Sequence, residues 1–239
     1  MDQKHFEELL ISNYQGNSSQ LSQIVTEIIE EKQNITGFFQ LSITTLFTTE
    51  NPLVRKSAMI IITNMLYQQS NIIDSFDETW RDNFLANLVT FYQKDSYFIL
   101  SDDDKPSTNS IPPIDNEILY LFSHLFSSYL LAIKSQIQPL FTMVGDELAS
   151  LEPPDPMTFQ YLKNLTFRVS VLYSILHIID FSDQNMTYHY STIIVVLLRA
   201  LQHYQTNFDL AVRSIYILAY FLDFYPEEEQ SVEEHIQII

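Results

Sequence analysis

Six histidines, thirty carboxylates and no cysteine bound the chemistry this chain could perform. General acid–base work would need several of His177, Asp180, His189 and Tyr190 to converge in one pocket, because a base must sit within hydrogen-bond reach of the proton it takes. Their surroundings point elsewhere. His177 falls on an apolar helical face, where a satisfied core histidine is the simpler reading, and His189 lies between Tyr188 and Tyr190 at a helix start. Asp102, Asp103 and Asp104 could hold Mg²⁺ or Ca²⁺, but the run lacks the alternating ligands and the glycine of a calcium loop. It reads as a solvated acidic loop. With no cysteine there is no thiolate metal site, no cysteine nucleophile and no disulfide. The sequence contains no Gly-x-x-x-x-Gly-Lys-Ser/Thr, Gly-x-Gly-x-x-Gly, His-Glu-x-x-His or Gly-x-Ser-x-Gly pattern, so phosphate cradles, dinucleotide folds, zinc-protease helices and nucleophile elbows have no signature here. The expectation is a protein that is not an enzyme and takes no cofactor or metal.

Arginines are the polar groups that recur in a pattern. Asn51-Pro-Leu-Val-Arg55, Asn164-Leu-Thr-Phe-Arg168 and Asp209-Leu-Ala-Val-Arg213 share one form. An Asn or Asp at a turn caps a helix by accepting from its first free N–H groups, and an arginine one turn later reaches carbonyls or a carboxylate in a neighbouring repeat. Arg168 and Arg213 are 45 residues apart and Arg55 and Arg168 are 113 apart, matching one and three units of about 40 residues. Arg55 and Asn64 are the candidate protein-binding residues. An inter-repeat hydrogen-bond ladder competes with partner contact for Arg55, and helix packing competes for Asn64. Phe38, Phe39, Phe122, Phe126, Phe221 and Phe224 suggest an aromatic box, but their helical spacing favours core packing.

The elements that must position these groups are helices. From Ile35 to Tyr67 two helix-length apolar runs flank the turn at Thr48–Asn51, and Pro52 sits where a helix tolerates it, in the first turn. Leu53, Val54, Ala58, Ile61, Ile62, Met65 and Leu66 fall at spacings of three and four, one apolar stripe. Such a pair cannot bury both faces alone and implies stacked neighbours. Only three glycines occur in 239 residues, too few for the hairpins and bulges of a sheet protein. Roughly ten helices are expected, at about 3–14, 18–33, the pair at 35–67, one after Asp74 or Asp77, one from Asp115, and further ones near 136–150, 157–181, 187–204 and 207–225. Residues 94–114 form an acidic, Pro/Ser-containing loop, and 226–239 an acidic tail. The reading is an all-α chain, a right-handed α-solenoid of about five HEAT/armadillo-like helix pairs spanning 1–239 as one domain.

Net charge of −18 argues against a nucleic-acid surface or an anionic membrane. It suits solvated loops, or attraction of a lysine-rich protein segment. No apolar run reaches the length of a membrane span, and the start, MDQKHFEE, is unlike a signal peptide. Cytosol or nucleus is the expected location. The Asn-x-Ser/Thr tripeptides at Asn17, Asn34, Asn164 and Asn185 read as chance occurrences.

The first 70 residues resemble the amino-terminal region of the importin-β (karyopherin) family. The matching features are Leu9-Leu10 in an opening amphipathic helix, Gly37-Phe38 at the start of a third helix, Val54-Arg55-Lys56-Ser57-Ala58, and Asn64-Met65-Leu66, with Trp80 near a position where the family often has tryptophan. The resemblance implies a surface for the GTP-bound small GTPase Ran on the second helices of the first repeats, here about 18–33 and 52–69. It also implies grooves for Phe-Gly nucleoporin repeats and a concave face for cargo. Without the resemblance, the alternative is a HEAT-repeat structural scaffold or adaptor in another intracellular complex.

Overall fold

The computed structural model describes residues 3–13, 24–26, 34–99, 114–133, 158–175, 187–202 and 207–224. Its α-helices are α1 (Gln3–Asn13), α2 (Ile35–Thr48), α3 (Pro52–Gln68), α4 (Glu78–Gln93), α5 (Asn116–Ala132), α6 (Phe159–Ile175), α7 (Thr187–Leu201) and α8 (Phe208–Phe224), with 3-10 turns at Ser70–Ser75 and Asp95–Phe98. Among the described residues the sole β feature is an isolated antiparallel bridge between Ile99 and Ile114. The protein is all-α. Of the expected helix at 18–33, residues 24–26 are described and helical. The expected helix near 136–150, the interior of the acidic loop and the tail lie outside the described residues.

Side-chain caps explain where the helices begin. Asn34 accepts from the Gly37 N–H at 2.9 Å, Asn51 from Leu53 N–H at 2.9 Å, Asp77 from Trp80 N–H at 2.7 Å, Asp115 from Ile118 N–H at 3.1 Å and Asn207 from Leu210 N–H at 3.1 Å. Each satisfies a backbone donor that has no partner inside its own helix. Gly37 has a specific reason: a Cβ there would lie 2.5 Å from Asn34 Nδ2, so any larger residue displaces the cap.

The chain divides into two compact units, one of Met1–Tyr97 with His124–Lys134, the other of Phe98–Ser123 with Ser135–Ile239. In the first unit α1 packs on α2 and α3, which pack on each other. Phe6 meets Phe38 edge-on at 5.4 Å. Every residue of α3 from Val54 to Thr63 is buried, so this helix is the central one, which is why its apolar residues extend beyond a single stripe. Aromatic rings join α2 to the chain that follows α3. Phe39 faces Phe76 at 5.9 Å and Trp80 at 6.3 Å, Phe47 faces Phe84 at 5.9 Å and Phe91 at 6.2 Å, and Phe76 stacks on Trp80 at 3.8 Å. Tyr129, fully buried, meets Phe84 edge-on at 4.7 Å and donates its hydroxyl to the Arg81 carbonyl at 2.7 Å.

In the second unit α8 packs on α6 and α7. Phe122 lies 5.8 Å from both Phe98 and Phe167, and the Ser123 hydroxyl reaches the Phe167 carbonyl at 3.3 Å. The described end of the acidic loop is pinned to Phe98, whose carbonyl accepts from Asp115 N–H at 2.8 Å. Asn207 does more than cap α8. Its amide nitrogen donates to Asn116 Oδ1 at 3.0 Å and to Thr166 Oγ1 at 3.2 Å, fastening the start of α8 to α5 and α6.

Two groups in the first unit tie its stability to pH. Burial pushes the Tyr129 phenol up to about 12, with Arg81 opposing and Asp82 adding to the push. The unfolded chain releases that proton from about pH 10 upward while the folded chain keeps it, so stability falls as pH rises from about 10 towards 12. Burial also holds His124, which shares a 3.0 Å hydrogen bond with Tyr67, below the usual histidine range. The unfolded chain therefore takes up that proton first as pH drops below about 6.5, and stability falls there as well. Denaturant titrations read by Trp80, the only tryptophan, are expected to show both losses. Tyr129→Phe should flatten the alkaline one, and an undiminished alkaline loss in that variant would contradict the assignment.

Candidate functional site

Two arginines of the recurring pattern, Arg55 and Arg213, sit on tyrosine rings. Arg55 follows its cap Asn51 by one turn of α3 and is buried, 5% exposed. Its guanidinium carbon lies 3.9 Å from the Tyr97 ring centre and 5.9 Å from that of Phe91. Nη2 donates to the carbonyl of Thr49, itself buried, at 3.0 Å. The contact is thus to a carbonyl just before its own helix and to aromatic rings further along the chain. Burial lowers the Arg55 pKa from the ordinary arginine value, while the nearby Tyr97 hydroxyl raises it. Nε of Arg55 is buried without a hydrogen-bond partner, so the ring faces and one carbonyl carry most of the compensation for desolvating this charge.

Arg213 repeats the stack in the second unit. Its guanidinium lies 3.9 Å from the centre of Tyr120 and 5.2 Å from that of Tyr173, and Tyr173 in turn is 5.3 Å from Tyr216. The cap here is Asn207, two residues before the expected Asp209, because Asn207 is the residue whose side chain accepts from Leu210 N–H; Asp209 is already inside α8 and exposed. The middle copy behaves differently again. Asn164 lies within α6, five residues past its start, and accepts from Gln160 Nε2 at 3.2 Å. It caps nothing.

Arg55 and Asn64 do not share a surface. Nine residues along an α-helix make about two and a half turns, which places them on opposite sides of α3. Asn64 is half-buried. Phe38, Phe39 and Phe122 are buried in the cores of their units, whereas the side chains of Phe221 and Phe224 lie outside the described residues. Asp102–Asp104, His177 and Asp180 also lie outside them, and His189 and Tyr190 are placed in the first turn of α7 by backbone alone. Among the described residues, no cluster of three His, Asp or Glu side chains could hold a metal ion, and no helix is long and apolar enough to cross a membrane.

Two features went unread in the sequence. Lys163 is fully buried, with its ammonium 4.9 Å from the Phe98 ring centre; a lone lysine in the apolar run of α6 was its only signal. The second is the outer face of α8, where Phe208, Val212, Ile215 and Tyr216 stand exposed. Its signal was an apolar residue at nearly every angle around the helix, where a stripe would suffice to cover one neighbour. A cleft of about 180 Å³ lined by Glu78, Arg81, Asp82, Leu85, Tyr129 and Ile133 also opens on the first unit. It falls short of the roughly 300–1,000 Å³ of small-molecule sites. The arrangement as a whole offers surfaces and stacked cations, which suit binding.

Arg55→Met keeps the aliphatic stem but removes the stack and the bond to Thr49. Trp80-monitored unfolding of this variant should show a loss of about 1.5–3 kcal/mol. Arg55→Lys should recover little, because an ammonium cannot lie flat on Tyr97 and reach the carbonyl together. Wild-type stability in Arg55→Met would remove the stack from the list of interactions that hold the unit. Compared with known proteins, the chain matches no family model, no curated protein and no solved structure, so its resemblance to the importin-β family rests on the motif residues alone.

Proposed function

We propose that this chain is a protein-binding module, an α-solenoid of HEAT/armadillo-type helix pairs that serves as a scaffold or adaptor in an intracellular complex. The observation that carries this reading is the outer face of α8. Four large apolar side chains stand exposed there on a helix whose opposite face is packed on α6 and α7, and a patch of that kind on a firm element is characteristic of an interaction site. The acidic balance of the chain supports steering towards partners with basic segments.

The narrower form of the proposal is a transport-receptor fragment that takes GTP-bound Ran on 18–33 and 52–69, with Phe-Gly repeats and cargo bound elsewhere, in cytoplasm and nucleus. It draws its support from Leu9-Leu10, Gly37-Phe38 and the Val54-to-Leu66 motif. Burial of α3 from Val54 to Thr63 leaves that helix only its ends, Leu53 and Tyr67 among them, for contact. This favours the scaffold form.

Immobilised full chain incubated with Ran loaded with GTP or with GDP separates the two forms. The expected outcome is no nucleotide-dependent retention. Retention of the GTP form alone would overturn the scaffold form in favour of the receptor fragment.

A further inference from the structure

The outer face of α8 carries information about what covers it. Phe208 is 71% exposed, Val212 46%, Ile215 56% and Tyr216 47%. Spacings of four, three and one put them on one side of the helix, and Ala219, also exposed, extends the line. The stripe runs about 16 Å, three turns of helix. It is not a fraying end. Asn207 holds the start of α8 to Asn116 and Thr166, and Leu210, Ala211, Ser214, Ile217 and Leu218 are buried on the opposite side.

Arg213 borders this stripe next to Tyr216. Arg55 shows what a committed arginine looks like in this protein: the same 3.9 Å stack, with a carbonyl taking its Nη2 donor. Arg213 has the stack at 3.9 Å on Tyr120 but, among the described residues, neither a hydrogen-bond acceptor nor a carboxylate within ion-pair distance. The ring of Tyr120 backs its guanidinium and no described residue accepts from its N–H groups, a donor set of the kind that takes a carboxylate in two parallel bonds. The apolar stripe beside it, three turns long, offers anchors at the spacing that an amphipathic helix can match.

Resting on the protein-binding reading above, we infer that the outer face of α8 receives an amphipathic helix of a partner protein whose apolar residues repeat at i, i+4 and i+7 and whose flank carries one carboxylate for Arg213. The rest of that helix is neutral or basic, because the chain's own charge of −18 repels an acidic partner and a second copy of itself.

The probe is a stapled 18-residue helical peptide with leucines at i, i+4, i+7 and i+11, one glutamate flanking them, and lysine or glutamine elsewhere, compared with the same peptide bearing glutamine in place of that glutamate. Fluorescence anisotropy against the full chain is expected to give about tenfold tighter binding of the glutamate peptide, as for one charge-assisted contact. Arg213→Gln should abolish that difference, and Val212→Ser with Ile215→Ser should weaken both peptides at least about tenfold. Val212 and Ile215 are exposed, and circular dichroism is the control that the variants keep their helix. Equal binding of the two peptides, with loss in the serine variant, would overturn the carboxylate assignment and leave the binding-module reading standing. Binding of neither peptide, or binding unaffected by the serine variant, would overturn both. Concentration-dependent dimerisation in sedimentation, lost in the serine variant, would make the face a self-interface and also overturn the inference.

Discussion

Burying a guanidinium costs several kcal/mol unless its charge faces something polarisable and its N–H groups find acceptors. A chain with no cysteine and three glycines must nonetheless fix its helix pairs without disulfides or tight sheet turns, and it does so with aromatic rings and the cations laid on them. Arg55 lies over Tyr97 and ties that ring, at the end of the first unit's main segment, back to the turn before α3 through Thr49. Around it Phe39, Phe47, Phe76, Trp80, Phe84 and Phe91 close the gap between α2 and α4. The second unit uses the same device with Arg213, Tyr120 and Tyr173. Lys163 against Phe98 and Lys94 against Tyr97 add further cation–ring contacts. Cation–π attraction strengthens as water is excluded, so each stack gains from the packing it supports.

Local chemistry was legible in the sequence wherever a single residue decides it. Asn51 with Pro52 announces the start of α3; of the two starts offered for α4, Asp77 is the cap while Asp74 lies in the 3-10 turn, and α5 begins after Asp115 as expected. Trp80, Phe84, Leu88 and Phe91 recur at spacings of three and four and share one face of α4, though Trp80 is only half-buried. In the recurring Asn/Asp-to-Arg pattern, Asn51 caps its helix and Arg55 reaches a carbonyl, but that of Thr49 just before its own helix; the rings beside Arg55 and Arg213 are set by tertiary packing that no spacing encodes. The cap of α8 shifted to Asn207 because its amide has two further partners, on α5 and α6, which Asp209 could not satisfy from within the helix. The 3-10 turn at Ser70–Ser75 carries the turn-forming Ser70, Asn71, Asp74 and Ser75, which mark a break between helices but not its 3-10 form.

The exposed face of α8 was hidden for another reason. Periodicity shows which residues are apolar, and α8 is apolar nearly all round; only coordinates tell which half is already covered. Leu210, Ile217 and Leu218 are buried on a helix that packs on α6 and α7, while Phe208, Val212 and Ile215 stand exposed. An all-round apolar helix is expected to lie between two layers. Among the described residues one such layer is present, and the proposed binding role rests on the other side of the helix.

Whether that face belongs to a firm helix is the point on which the functional reading turns, and hydrogen exchange on the full chain measures it most directly. The expected result is that amides from Leu210 to Ile217 in α8 exchange as slowly as those from Leu162 to Leu172 in α6, since both are locked by the same packing. Exchange of the α8 amides within seconds, while α6 stays protected, would mean that the stripe is the side of a helix that opens freely, and would contradict its reading as a preformed binding surface.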